Sequence, residues 1–372
     1  MKVGAQLLMQ NEFGKEHDFQ TIQNDLRLVG MAEKLGFDSV WTVEHHFTGY
    51  SLSPNALLSL AYLAGQTTRV ELGTQVVVLP WHQPARAAGE IALLDNLCGG
   101  RLILGIGRGL ARNEFEGLGI PHGESRERFI ESAEIVLDAL ETGTIKYDGK
   151  HYQQPERELR PAPVRSFKGR TYAAAVSPES VKIMARLGIG ILVIPQKPWD
   201  AVDKDLVVYD QVYREVNGCA PPPTILGSQV FCDDNADRAQ ELAHKYIGDY
   251  FISVMKHYEL LGDHLKGTQG YEYYAANREA LVNRDLRKTA DFYVGLQVWG
   301  TPEQCYEKVM AARARINCDH FCGNFRFIDM PMQVGERSMR LFAEKVLPEL
   351  HKVPSLHDQS GSEEALRVSA VG

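Results

Sequence analysis

The chain has 372 residues, 44% of them hydrophobic and 24% charged, with a formal net charge of -8. These are globular, enzyme-sized proportions, and the acidic balance argues against nucleic acid or an anionic membrane surface as partner. No apolar run is long enough to span a bilayer, and Met1-Lys2-Val3-Gly4-Ala5-Gln6 lacks a signal-peptide pattern, so a cytoplasmic protein is expected.

Taken in chain order, residues 3–8 read as a strand and 19–35 as a helix with apolar residues at helical spacing, closed by Gly36. Strand 37–42 follows, then helix 55–65 opened by Ser53-Pro54, strand 70–79 and helix 85–97. Strand 101–106 and helix 125–140 complete the first half. The second half predicts strand 171–176 with helix 178–187, and strand 190–194 with helix 201–216. It continues with strand 224–231 and helix 236–258, then strand 320–327 and helix 335–350.

Eight strand–helix units whose strands are apolar on both faces predict buried parallel strands. The first strand is not followed by a Gly-x-Gly-x-x-Gly turn, so a (β/α)8 TIM barrel is favoured over an open doubly wound sheet. One barrel domain over residues 1–353 is expected, with insertions near 146–168 and 260–293 and a disordered tail over 354–372. Six scattered cysteines (98, 219, 232, 305, 318 and 322) are too few for a disulfide framework. Cys318, His320 and Cys322 share one strand face without a second ligand pair nearby, so no metal is expected.

Barrel chemistry sits at the C-terminal ends of the strands. After the second strand comes Glu44-His45-His46-Phe47, where neighbouring residues face opposite ways and one imidazole can enter a pocket while the rest of the run serves structure. After the fourth comes Gly107-Arg108-Gly109, glycines that permit close backbone approach around a cation that suits phosphate. Ser177-Pro178-Glu179-Ser180 reads as a capped helix start, which presents free N–H groups, and Arg126 is a second cation at another helix start.

At these residues the chain resembles the bacterial luciferase-like superfamily of flavin-dependent monooxygenases, and the match is close to the luciferase α-subunit type. The likeness runs through Gly36-Phe37-Asp38-Ser39-Val40-Trp41, the Glu44 to Thr48 stretch, Leu72-Gly73-Thr74 and Val78-Leu79-Pro80. It continues through His82-Gln83-Pro84-Ala85-Arg86, Leu93-Leu94-Asp95, Gly100-Arg101 and the Gly105 to Leu110 stretch. The resemblance implies an enzyme that takes reduced FMN from a separate NAD(P)H:flavin reductase. It also implies that O2 is activated as a flavin C4a-hydroperoxide, and that a small apolar or heteroaromatic substrate is oxygenated by hydroxylation, Baeyer–Villiger insertion or ring cleavage.

By the same resemblance His45 handles the proton, with His46 beside it. Glu44, Thr74, Gln75 and Val76 lie against the flavin, with a non-prolyl cis peptide in the strand-three segment. Arg108 and Arg126 grip the phosphate together with Val176, Ser177 and Ser180. The 260–293 excursion becomes an active-site lid with Gly262, Gly267 and Gly270 as hinges and Tyr271, Tyr273 and Tyr274 as pocket walls. A dimer is implied, as apolar helices on the outside of the first half also suggest.

Gly107 stands where luciferase α subunits carry a reactive cysteine, which implies a different pocket shape and argues against light emission and a long-chain aldehyde. Two other readings fit the same residues: an F420-dependent oxidoreductase that transfers hydride, and a non-catalytic flavin-binding subunit.

Overall fold

A computed structural model describes residues 1–175, 177–268, 271–272, 275–276 and 285–356. Val176, Gly270, Tyr273, Tyr274 and the tail from residue 357 onward lie outside the described residues. The strands are β1 (Lys2–Leu7), β2 (Ser39–Thr42), β3 (Glu71–Thr74), β4 (Val77–Val78), β5 (Leu102–Gly107), β6 (Thr144–Asp148) and β7 (Gln153–Glu158). They continue with β8 (Thr171–Ala174), β9 (Gly190–Val193), β10 (Thr224–Cys232), β11 (Val298–Gly300) and β12 (Cys318–Asn324). The described helices are α1 (Asp18–Gly30), α2 (Ala32–Leu35), α3 (Ala56–Ala64), α4 (Pro84–Leu97), α5 (Arg112–Gly117), α6 (Ser125–Thr142) and α7 (Pro178–Arg186). After them come α8 (Trp199–Asn217), α9 (Ala236–His257), α10 (Leu286–Gly295), α11 (Pro302–Ile316), α12 (Met332–Lys345) and α13 (Leu347–His351).

The parallel order β12-β1-β2-β3-β5-β8-β9-β10 closes on itself because β10 pairs with both β9 and β12. This is a (β/α)8 barrel. Alternation along each strand sorts side chains between two cores. Val3, Ala5 and Leu7 of β1 join Val40 and Leu72 under the helices. Trp41, Ile103, Tyr172, Leu192, Ile225 and Cys322 fill the barrel axis. Each such Leu or Ile contributes about 1.5–3 kcal/mol by leaving water. Trp41 occupies the axis only because its neighbours lack side chains: a Cβ on Gly73 would lie 2.2 Å from the indole ring.

Boundaries moved where local pattern was weak. The segment read as strand 70–79 is two short strands, interrupted at the cis Gln75–Val76 peptide. The last barrel strand ends at Asn324, so Phe325 to Phe327 belong to the loop beyond it. Helix 19–35 breaks at Met31 into α1 and α2. Residues 146–168 contain most of an antiparallel hairpin, β6 with β7, whose mostly exposed polar residues mimic a loop in sequence. Strand β11 extends the sheet from β10, and three residues are too few to show a period.

Helix α4 is tied to β8 by a buried ion pair. Asp95 is fully buried and binds Arg170 through Nη1–Oδ1 at 2.6 Å and Nη2–Oδ2 at 3.2 Å. Asp95 also accepts the Val164 N–H, while Arg170 donates to the Leu102 and Ser166 carbonyls and lies 3.7 Å from the Phe167 ring centroid. Asp95 therefore holds the chain's return from the hairpin into the barrel.

Candidate active site

The Glu44-His45-His46 run leaves β2 at the barrel mouth and divides into two roles. Glu44 is buried and accepts the Val78 N–H at 2.9 Å and His82 Nε2 at 2.7 Å, with His46 Nε2 at 3.5 Å. Burial pushes its carboxyl up, but His46, His82 and the Val78 N–H outweigh that and hold it below the usual range. Burial likewise pushes His82 down, and Glu44 more than reverses it. Glu44 is thus an ionised staple between the end of β2 and the segment after β4.

His45 turns toward a second carboxylate. Glu114, on the short helix α5 that follows β5, is fully buried, and its Oε1 lies 3.1 Å from His45 Nδ1 and 2.7 Å from the His46 amide nitrogen, whose N–H donates to it. His257, at the end of α9, brings Nε2 to 3.6 Å from the same oxygen, and its Nδ1 lies 3.0 Å from the Thr48 hydroxyl. Burial pushes the Glu114 carboxyl up, but the two imidazoles pull it down to about 2. Burial pushes His257 down against the opposing pull of Glu114. An ionised Glu114 accepts the proton on His45 Nδ1, which leaves Nε2 facing the cavity with Tyr258 Oη 3.5 Å away. His45, Glu114 and His257 place their ligand-type atoms within 4.8 Å of one another.

The other end of the cavity is cationic. Arg108 follows β5 with its guanidinium 4.1 Å from the Tyr271 ring centroid, and Arg126 in the first turn of α6 lies 3.7 Å from Glu272. The Tyr271 hydroxyl donates to the Gly109 carbonyl at 3.1 Å and lies 3.0 Å from the Ser125 hydroxyl. Ser177 caps α7 by accepting the Ser180 N–H at 3.2 Å, so the helix start carries free donors and a positive dipole end. Burial pushes His122, packed against Tyr271, down to about 4, so it adds no charge near pH 7.

A cavity of about 160 Å³ joins the two ends, with Tyr271 and Glu272 drawn over its arginines. Of the residues expected at a site, Glu44, His45, Gln75, Val76, Arg108, Arg126 and Ser180 line it. His46 does not; its ring packs edge-on to Trp81. Thr74 is fully buried and its hydroxyl is spent on the Gly105 backbone, donating to O at 2.7 Å and accepting from N at 2.8 Å. The Gln75–Val76 peptide is cis, as the resemblance implied. Gly107 has a local cause: a Cβ there would sit 2.4 Å from Val76 Cγ2. Glu114, His257 and Tyr258 were not found from sequence, since only the closed barrel brings them to His45.

Two guanidiniums with a helix start suit a phosphate, and Val76, Val78, Ile183, Met184 and Ile194 supply an apolar slot for a flat ring. The donor set therefore fits FMN. A larger cavity, about 560 Å³, opens beside Lys2, Arg165 and Asp319 at the opposite end of the strands, where barrel chemistry does not sit.

Residues 1–318 match the luciferase-like monooxygenase family. The alkanal monooxygenase alpha chain of Photobacterium leiognathi is 28% identical over 344 residues, covering 91% of this chain and 95% of that one. The oxygenase component of a flavin-dependent trigonelline monooxygenase from Acinetobacter baylyi is 28% identical over 235 residues, 61% of this chain and 65% of that one. The crystal structure of monooxygenase RslO1 from Streptomyces bottropensis superposes with a TM-score of 0.76 at 25% identity, covering 94% of this chain and 99% of that one. A family match over residues 1–318, with the barrel fold, leads to one conclusion: the chain belongs to the luciferase-like monooxygenase family.

Proposed function

We propose that the protein is the oxygenase component of a two-component, FMNH2-dependent monooxygenase acting on a small organic substrate. The observation that carries this reading is the pairing of a Glu114-anchored His45 with a cationic grip at the other end of one cavity. Reduced FMN, when bound, supplies the electrons for O2 activation. Arg108, Arg126 and the start of α7 would hold its phosphate, and Val76, Ile183 and Ile194 its ring. His45 holds or releases a proton at Nε2, and Glu114 stabilises the charged imidazole. Residues 1–353 act as one barrel domain in this reading.

The test is cofactor choice. The protein is expected to bind FMN and to oxygenate substrate when FMNH2 is supplied by a separate NAD(P)H:flavin reductase. Tight F420 binding without FMN affinity would replace this reading with hydride transfer. FMN binding with no turnover of any substrate would favour a non-catalytic subunit. The trigonelline enzyme's designation as an oxygenase component supports the two-component form. Arg108→Met is expected to weaken FMN at least about tenfold, the scale of a lost charge-assisted hydrogen bond, as read by fluorescence quenching. An unchanged Kd would remove Arg108 from the phosphate grip.

The exposed surface supports a dimer. Leu58 (71% exposed) and Tyr62 on α3, with Leu93 and Leu97 (60% exposed) on α4, leave an apolar stripe in water on adjacent helices. A second copy of the chain covers it in this reading. Light scattering should return twice the chain mass, falling to one copy for Leu58→Asp with Leu97→Asp; a monomeric wild type refutes it.

A further inference from the structure

Above the apolar plug of the barrel axis lies a layer built of carboxamides. Gln6 of β1 is in register with Asn324 of β12, and Asn324 with Gln229 of β10. Asn324 shares its strand face with Cys322, and Gln229 shares its own with Ile225, both in the axial plug, so the two amides point into the barrel. Gln75 reaches across from β3 to the same place. Its Nε2 would be 2.3 Å from a Cβ on Gly227, two residues below Gln229 on the same face of β10.

Three atoms of this layer are buried without any hydrogen-bond partner: Gln75 Oε1, Gln229 Oε1 and Asn324 Nδ2. Buried amides are paired as a rule, and three unpaired amide atoms from the neighbouring strands β10 and β12 and the residue after β3 are unusual. Asn324 keeps its other amide atom engaged, Oδ1 accepting the Arg326 N–H at 3.3 Å. Gln75 also lines the cavity that contains His45, so the layer adjoins the reacting end of the site.

We propose that Gln75, Gln229 and Asn324 form the substrate subsite, and that it takes a neutral ring compound carrying both an N–H or O–H donor and a carbonyl. This rests on the flavin monooxygenase reading above. The unpaired set offers two acceptors and a donor: the compound's N–H or O–H meets a glutamine oxygen while its carbonyl meets Asn324 Nδ2. A long-chain aldehyde has a single acceptor and would leave the glutamine oxygens unpaired. A carboxylate finds no cation among Gln6, Gln75, Gln229 and Asn324 and would be desolvated without compensation. Trp41, in register with Gln6 and part of the axial plug, supplies a flat wall for a ring.

The probes are 2-pyridone, decanal and benzoate, titrated calorimetrically into the full chain saturated with oxidised FMN. 2-Pyridone should bind at least about tenfold more tightly than the other two. Gln229→Leu should weaken 2-pyridone about tenfold with the FMN Kd and melting temperature retained, and Gln75→Leu should weaken it similarly. Asn324→Asp, which keeps the packing and the oxygen that accepts the Arg326 N–H, should weaken it too by replacing the Nδ2 donor with a charged oxygen against the carbonyl, and serves if the leucine variant does not fold. Equal 2-pyridone affinity in wild type and variants, or a preference for decanal or benzoate, overturns the proposal. So does a crystal structure with ordered water alone on the three atoms at saturating 2-pyridone. Failure of the wild type to bind FMN would instead overturn the flavin reading itself.

Discussion

His45→Ala is expected to lower turnover about 100- to 10,000-fold, the range for losing a positioned acid–base group, with a much smaller change in FMN Kd. The geometry states why the loss should fall on kcat. Nε2 is left for the cavity because Nδ1–H donates a hydrogen bond to Glu114, and Glu114 can accept it because it stays ionised down to a pH of about 2. Glu114→Gln keeps the shape, removes the charge and allows an amide N–H to face Nδ1, so a loss of about 10- to 100-fold is expected. Stopped-flow kinetics with pre-reduced FMN reads both variants. Turnover within threefold of wild type in His45→Ala would remove His45 from the chemistry.

The second large effect is on stability. Asp95→Ala should cost about 3–5 kcal/mol, because it strands Arg170, 6% exposed, as an uncompensated buried charge. Coulomb attraction does not by itself make this pair stabilising, since both ions pay for leaving water. The penalty arises on removing one partner, while Arg170 stays fixed by the Leu102 and Ser166 carbonyls and stacked on Phe167. Asp95→Asn retains an acceptor and should lose less. Urea unfolding followed by circular dichroism measures both, and a cost below about 1 kcal/mol for the alanine variant would show that Arg170 finds water. The Leu93-Leu94-Asp95 motif has a structural role on this account: Asp95 organises the hairpin return and lies away from the cofactor cavity.

Legibility varied with the range of the contacts involved. The first half of the barrel was readable because its strands are short apolar runs bounded by capped helices: Asn55 accepts the Leu58 N–H before α3, and Gln83 the Arg86 N–H before α4. Hairpin β6–β7 shows in the sequence only as an insertion because its residues are mostly exposed and show no buried alternation. The Glu-His-His run announced a site but not its division of labour. Glu44 became a staple to His82, His46 packed on Trp81, and His45 alone kept a ring nitrogen toward the cavity.

By itself the sequence determined the barrel, the family, the strand ends that carry His45 and Arg108 and the helix start at Ser177 and Ser180, since strand alternation, helix caps and motif spacing are local properties of the chain. The tertiary structure alone decided what His45 does. Its anchor Glu114 lies 69 residues away, and Tyr258 lies 213 residues away. These groups meet because barrel closure places the segment after β5 and the end of α9 over the same strand end. No local pattern encodes that meeting. The same closure brings the Gln75, Gln229 and Asn324 amides into one layer, where burial without partners gives them a meaning that isolated glutamines and asparagines lack.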